Sequence, residues 1–209
     1  MSEIHMMIPA QDFELEACYE EGQGPAVGIL CHPHPLYGGS MDNNVIAAMQ
    51  SALRARGWGT MRFNFRGVGR SGGGFAEGEG EAEDVMAIAS FLSLQGKTIV
   101  HLGGYSFGAW IVLKALGLGL QAISTVLVSP PIDFLPFDNL KLPQTPCLIT
   151  LGDGDSFCTG ASLKAWLAGQ PDAAQTAETE IVPGCDHFYW GREGFLEGRI
   201  SKFLKKHFP

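Results

Sequence analysis

The chain has 209 residues, 45% of them hydrophobic and 17% charged, which suits one globular domain with a sizeable core. Its net charge of −8 excludes the basic footprint that nucleic acid or an anionic membrane surface requires. The five cysteines, at 18, 31, 147, 158 and 185, are an odd number with no C-x-x-C pair, the pattern of reduced and mostly buried thiols in the cytoplasm. The opening residues Met1-Ser2-Glu3-Ile4-His5 lack a basic region followed by an apolar stretch, so no signal peptide is expected. The greasiest segment, 109–132, is broken by Lys114, Gly117, Gly119, Gln121 and two prolines, and predicts a buried helix and strand, not a membrane span.

In chain order, two strands are expected over about 3–8 and 12–20, joined by the turn Pro9-Ala10-Gln11. Strand and helix alternate from there. Pro25 to Cys31 reads as an apolar strand. Asn43 to Arg56 has helical spacing through Val45, Ile46, Met49 and Leu53, with Asp42 as its N-cap and Gly57 as its stop. Thr60 to Phe65 is a strand. Glu81 to Leu94 is a helix with Val85, Ile88, Phe91 and Leu92 inward. Strand 98–102 leads into a helix ending near Leu116. Strand 122–128, a proline-rich connection, strand 147–151, helix 160–167, strand 177–182 and a final helix 189–207 complete the pattern. Such alternation predicts an α/β fold: a mostly parallel sheet of about eight strands with helices on both faces, as one domain over 1–209.

Gly104-Tyr105-Ser106-Phe107-Gly108 directly follows an apolar strand. A G-x-S-x-G step from strand to helix lifts the serine on a sharp turn at the carboxyl edge of a sheet. Ser106 is therefore a candidate nucleophile. A hydroxyl needs a base to take its proton, and the base needs a carboxylate to fix its tautomer. In this motif the partners follow in the order serine, acid, histidine. Only His187 and His207 come after Ser106. His187 lies in a loop after the last strand, whereas His207 sits in the basic run of a helix end, so His187 is the expected base. The acid should follow strand 147–151, where Gly152-Asp153-Gly154-Asp155 offers two carboxylates. Asp133 is a third candidate, and Asp186 adjoins the histidine too closely to face it.

An acyl-transfer site also needs N–H donors for a developing oxyanion. One is the Phe107 amide. The other should come from the loop Cys31-His32-Pro33-His34-Pro35-Leu36-Tyr37-Gly38-Gly39-Ser40, in which the prolines have no N–H. His34, Leu36, Tyr37 and the glycines remain, with Tyr37 favoured because Gly38-Gly39 lets the backbone turn inward. Tyr37, Phe107, Phe134, Phe157, Phe188 and Tyr189 are candidates to line an apolar pocket, with His34 and Leu36 beside them.

Three patterns carry other chemistry on paper. Gly67-Val68-Gly69-Arg70-Ser71-Gly72 matches G-x-G-x-x-G, but the Gly- and Glu-rich stretch 73–80 follows it in place of a helix, and five acids between Glu77 and Asp84 would repel a pyrophosphate. Gly96-Lys97-Thr98 enters a strand and lacks the first glycine of a phosphate loop. His32-x-His34 has no third ligand at sensible spacing. Neither metal nor organic cofactor is expected.

These residues resemble the α/β-hydrolase superfamily, more closely its small, lid-poor bacterial serine hydrolases near dienelactone hydrolases and small carboxylesterases. The resemblance rests on His32-Pro33-His34-Pro35 with Gly38 to Asn44, Phe63 to Gly73, Gly104 to Gly108, Gly152-Asp153-Gly154-Asp155 and Asp186-His187-Phe188, and spans the chain. It implies Ser106 as nucleophile, His187 as base and Asp155 as acid, and makes the Phe65–Ser71 segment a structural turn. Two departures stand out. His32-Pro33 replaces the usual His-Gly, and 129–146 is too short for a large cap. The implied activity is hydrolysis of a small ester-type molecule, carboxylesterase-like, through an acyl-enzyme. Thioester, amide or acyl-transfer chemistry would use the same site, and a binding protein on the same scaffold is the competing class.

Overall fold

Apolar runs without alternation need a home in which both faces of a strand are covered. The computed structural model, which describes residues 3–170 and 177–209, provides it. The chain first lays down β1 (Glu3–Ala10), β2 (Phe13–Glu20) and β3 (Ala26–Cys31), then a short 3₁₀ turn (Pro35–Tyr37), α1 (Asn44–Ala55) and β4 (Gly59–Phe63). Next come α2 (Glu79–Leu94), β5 (Thr98–Tyr105), α3 (Phe107–Gly117) and β6 (Ser124–Val128). It ends with β7 (Cys147–Gly152), α4 (Gly160–Ala168), β8 (Ala177–Val182) and α5 (Glu193–His207). One eight-stranded sheet results, ordered β1-β2-β4-β3-β5-β6-β7-β8, with β1 and β2 antiparallel at one end and every later pairing parallel.

Period-two geometry sorts the central strands onto two cores. Ile29, Leu102, Leu127 and Ile149 face Val85, Ile88 and Ile111 from α2 and α3. Their neighbours Leu30, Val126, Val128 and Leu148 face Val45, Met49, Leu53, Ile200 and Phe203 from α1 and α5. The carboxyl ends of β3, β5, β6, β7 and β8 therefore share one edge. Among the described residues, no helix is long and apolar enough to cross a membrane. All five cysteines are free and buried.

Several boundaries differ from expectation. The first turn is Gln11-Asp12, since Ala10 pairs with Phe13, and Gln11 takes the positive φ (52°) that a two-residue hairpin demands. Asn43, not Asp42, caps α1: its side chain accepts from Val45 N–H at 2.9 Å. Asp42 instead pairs with Arg62. The fourth strand stops at Phe63, freeing Phe65 for the loop, and Phe91 is half-buried. The last helix starts at Glu193 because Tyr189 has φ +58° and breaks the expected span.

The turn after β4 is anchored by a buried ion pair. Asp84 on α2 is fully buried and accepts from Arg66 Nη2 (2.8 Å), Nε (3.0 Å) and backbone N–H (2.9 Å). Removing one partner leaves the other charge buried without its counterion. Asp84→Ala is expected to cost about 3–5 kcal/mol, read from urea unfolding. A loss under about 1 kcal/mol would mean that water or Glu83 replaces the carboxylate.

Candidate active site

A single residue separates the end of β5 from the start of α3, and it is Ser106, at φ +55°, ψ −120°. L-residues avoid that conformation, so surrounding structure holds it. A Cβ at Gly104 would run into the Gly108 carbonyl, and one at Gly108 into the Cys31 carbonyl. Both glycines are thus required by close approach, of β5 to α3 and of α3 to β3. Ser106 N–H donates to Val128 O at 2.9 Å, tying the turn to β6.

His187 Nε2 lies 2.9 Å from Ser106 Oγ, and His187 Nδ1 lies 2.8 Å from Asp155 Oδ2. A carboxylate only accepts, so Nδ1 carries the proton and Nε2 is left to accept from the serine. All three residues are buried, with a few per cent of each exposed: Ser106 8%, Asp155 6% and His187 5%. The second Asp155 oxygen accepts from Phe157 N–H (2.8 Å) and Cys158 N–H (3.2 Å). Burial alone would raise the Asp155 carboxyl, but the His187 hydrogen bond and charge outweigh it and hold it below the ordinary range. Tyr105 Oη donates to His187 O at 2.8 Å and fixes the histidine loop.

The remaining acids are occupied elsewhere. Asp153 accepts from Cys185 N–H, Asp133 from Thr159 N–H, and Asp186 from Phe188 N–H in a local turn. His207 pairs with Glu178 at 2.7 Å on the far end of α5.

The loop after β3 corrects the reading of Tyr37 as second oxyanion donor. Tyr37 N–H donates to His34 O within the 3₁₀ turn, as does Gly39 N–H, and Leu36 N–H donates to His34 Nδ1. Among the described residues no group accepts from the amides of His34 or Phe107. The Phe107 amide is free because a helix's first N–H groups have no partner within it.

A cleft of about 510 Å³ opens beside Ser106. Tyr37, His34, Phe107, Phe134, Phe157, Phe188 and His187 line it. Leu36 does not line it and is exposed on the rim. Tyr189 is fully buried against Thr150, so it is no pocket residue. Sequence reasoning missed Tyr105, Pro131 and Leu135. Tyr105 stood inside the elbow motif, but nothing in the sequence pairs it with residue 187.

A parallel sheet with two antiparallel strands at one end, a strand–serine–helix elbow and a serine–histidine–aspartate relay along the carboxyl edge define an α/β hydrolase. No family model matches the chain. It is 31% identical over 203 residues to an uncharacterized protein of Rickettsia prowazekii, covering 91% of this chain and 84% of the relative. An α/β serine hydrolase homologue from Coxiella burnetii superposes with a TM-score of 0.87 at 32% identity over 98% of each chain. An α/β serine hydrolase without a lid from Xanthomonas campestris gives a TM-score of 0.89 at 28% identity, over 99% of this chain and 95% of that one. The chain belongs to the α/β serine hydrolases.

Proposed function

We propose that this protein hydrolyses small, neutral ester-type substrates through an acyl-enzyme on Ser106. The supporting observation is the unbroken relay from Asp155 through His187 to a serine held in a strained turn. Ser106 Oγ attacks the carbonyl carbon while His187 Nε2 takes its proton. Asp155 holds the tautomer and stabilises the imidazolium. The tetrahedral oxyanion is received by the amides of Phe107 and His34. His187 then gives its proton to the leaving alcohol, and water repeats the cycle to release the acid. The whole chain serves as one hydrolase domain. Five buried free thiols suit a reducing compartment, which makes the cytoplasm the proposed location.

Fluorophosphonate treatment followed by mass spectrometry tests the nucleophile without knowledge of the substrate. One adduct on Ser106, absent from His187→Ala, is expected. No adduct on folded wild type would sink the reading and favour a ligand-binding role.

The lining supports a neutral substrate. None of the cleft-lining residues is Lys, Arg, Asp or Glu. A substrate carboxylate would lose its hydration there with no cation to meet it. A neutral p-nitrophenyl butyrate is expected to exceed mono-p-nitrophenyl succinate in kcat/KM by about tenfold or more. Equal values would show that the anion stays in water outside the cleft.

A further inference from the structure

We propose that His32 is a positioning residue: through its Nδ1–H it fixes the Pro33–His34 peptide with the His34 N–H turned into the cleft as an oxyanion donor. The inference rests on the site reading above.

The tautomer of His32 follows from its partners. Phe65 N–H donates to His32 Nε2 at 3.0 Å, so that nitrogen carries no proton. Nδ1 then holds the hydrogen and donates to Pro33 O at 2.6 Å, since a carbonyl only accepts. The ring is fully buried and packs on Phe65 with centroids 4.6 Å apart. Burial lowers its pKa to about 4, which keeps it neutral and this pattern intact at physiological pH.

Among the described residues there are no cis peptide bonds. In a trans peptide the C=O and N–H point in opposite directions. Holding Pro33 O against the buried ring therefore turns His34 N–H away from it. The cleft, which Pro33 and His34 line together with Ser106 and Phe107, is the side left for that N–H, and among the described residues no group accepts from it. Were this peptide to flip, the Pro33 carbonyl would face the developing oxyanion and repel it.

Two prolines remove most other freedom. The ring of Pro33 fixes its own φ. Pro35 confines His34 to extended backbone, and His34 has φ −55°, ψ 124°. The peptide between them is the remaining hinge, and His32 clasps it. The 64–72 turn thereby gains a purpose beyond packing. Its Phe65 amide sets the His32 tautomer, and the turn itself is held by Arg66 on Asp84 and by Ser71 Oγ on Asn64 O.

The test compares His32→Asn, His32→Gln and His32→Ala with wild type on p-nitrophenyl butyrate. Asparagine sets an amide donor where Nδ1 stands. Glutamine restores an acceptor for Phe65 N–H but no donor for Pro33. The expected result is a kcat for His32→Asn within about tenfold of wild type. His32→Gln and His32→Ala should fall by about 10²–10³, the loss typical of one oxyanion donor, with KM within about threefold. Affinity for butylboronic acid should fall by the same factor. Its boron accepts the Ser106 Oγ electron pair as His187 takes the proton, giving a tetrahedral anion for the same donors. A role in stability alone would lower the melting temperature of all three and leave kcat of the folded fraction unchanged. That outcome, or equal kcat for the asparagine and glutamine variants, overturns the proposal. If His32→Ala does not fold, the asparagine–glutamine pair decides. A wild type with neither turnover nor a fluorophosphonate adduct overturns the site reading itself. A labelled, active wild type with indifferent His32 variants overturns this inference alone.

Discussion

Ser106→Ala is expected to lower kcat on a short-chain ester by about 10⁴–10⁶, with KM changed only a few-fold. In the proposed reaction, removing Oγ removes the atom that forms the covalent bond. Binding and the two proposed amide donors would remain and account for the residual rate over water. Ser106→Gly should be equally inactive but more stable than wild type by about 1–3 kcal/mol, because glycine adopts φ +55°, ψ −120° without the clash a Cβ meets. Stopped assays and thermal melts on the two variants separate chemistry from strain. Wild-type turnover in either variant would remove Ser106 from the reaction.

Asp155→Asn should reduce kcat by about 10⁴ while leaving the loop in place. The amide fills the same space, yet it presents an N–H to His187 Nδ1 as readily as an oxygen. That favours the tautomer with the proton on Nε2, which cannot accept from Ser106. Asp153→Asn and Asp133→Asn, whose carboxylates bond backbone amides away from His187, should stay within about threefold of wild type. A larger loss in Asp153→Asn than in Asp155→Asn would reverse the assignment. The same residue sets a pH signature. Its folded pKa is depressed, so its contribution to stability is present above the unfolded value near 3.8 and is lost as pH falls through the lower folded value. The asparagine variant lacks that component, and its stability should decline less in strong acid.

The sequence made some of this architecture legible because the signals were local. The elbow needs two glycines at fixed offsets from a serine, and the steric demand that places them is the one found at Gly104 and Gly108. The apolar strands were equally plain, since burial on both faces leaves few polar interruptions, such as His101 in β5 and Thr150 in β7. Choosing among Asp133, Asp153, Asp155 and Asp186 was different. All four accept backbone amides, Asp155 and Asp186 within local turns and Asp133 and Asp153 from distant loops, and what distinguishes Asp155 is which way one oxygen faces across two loops. The oxyanion loop failed for a related reason. The Tyr37 amide looked free, but the 3₁₀ turn consumes it, and only the folded loop shows that His34 and Gly38 keep unpaired amides beside the cleft. Asp42 and Asn43 are both good caps, and the long-range pull of Arg62 on Asp42 decided between them.

The segment 129–146 between β6 and β7 carries neither helix nor strand and leaves the cleft open. For the reaction proposed here, the acyl-enzyme would stand in contact with bulk solvent from the moment it forms. Water would then outcompete added alcohols as the acceptor, so the enzyme should be a poor catalyst of transesterification. Its saturation curve should also stay hyperbolic through the solubility limit of the ester, with no jump when droplets or micelles appear.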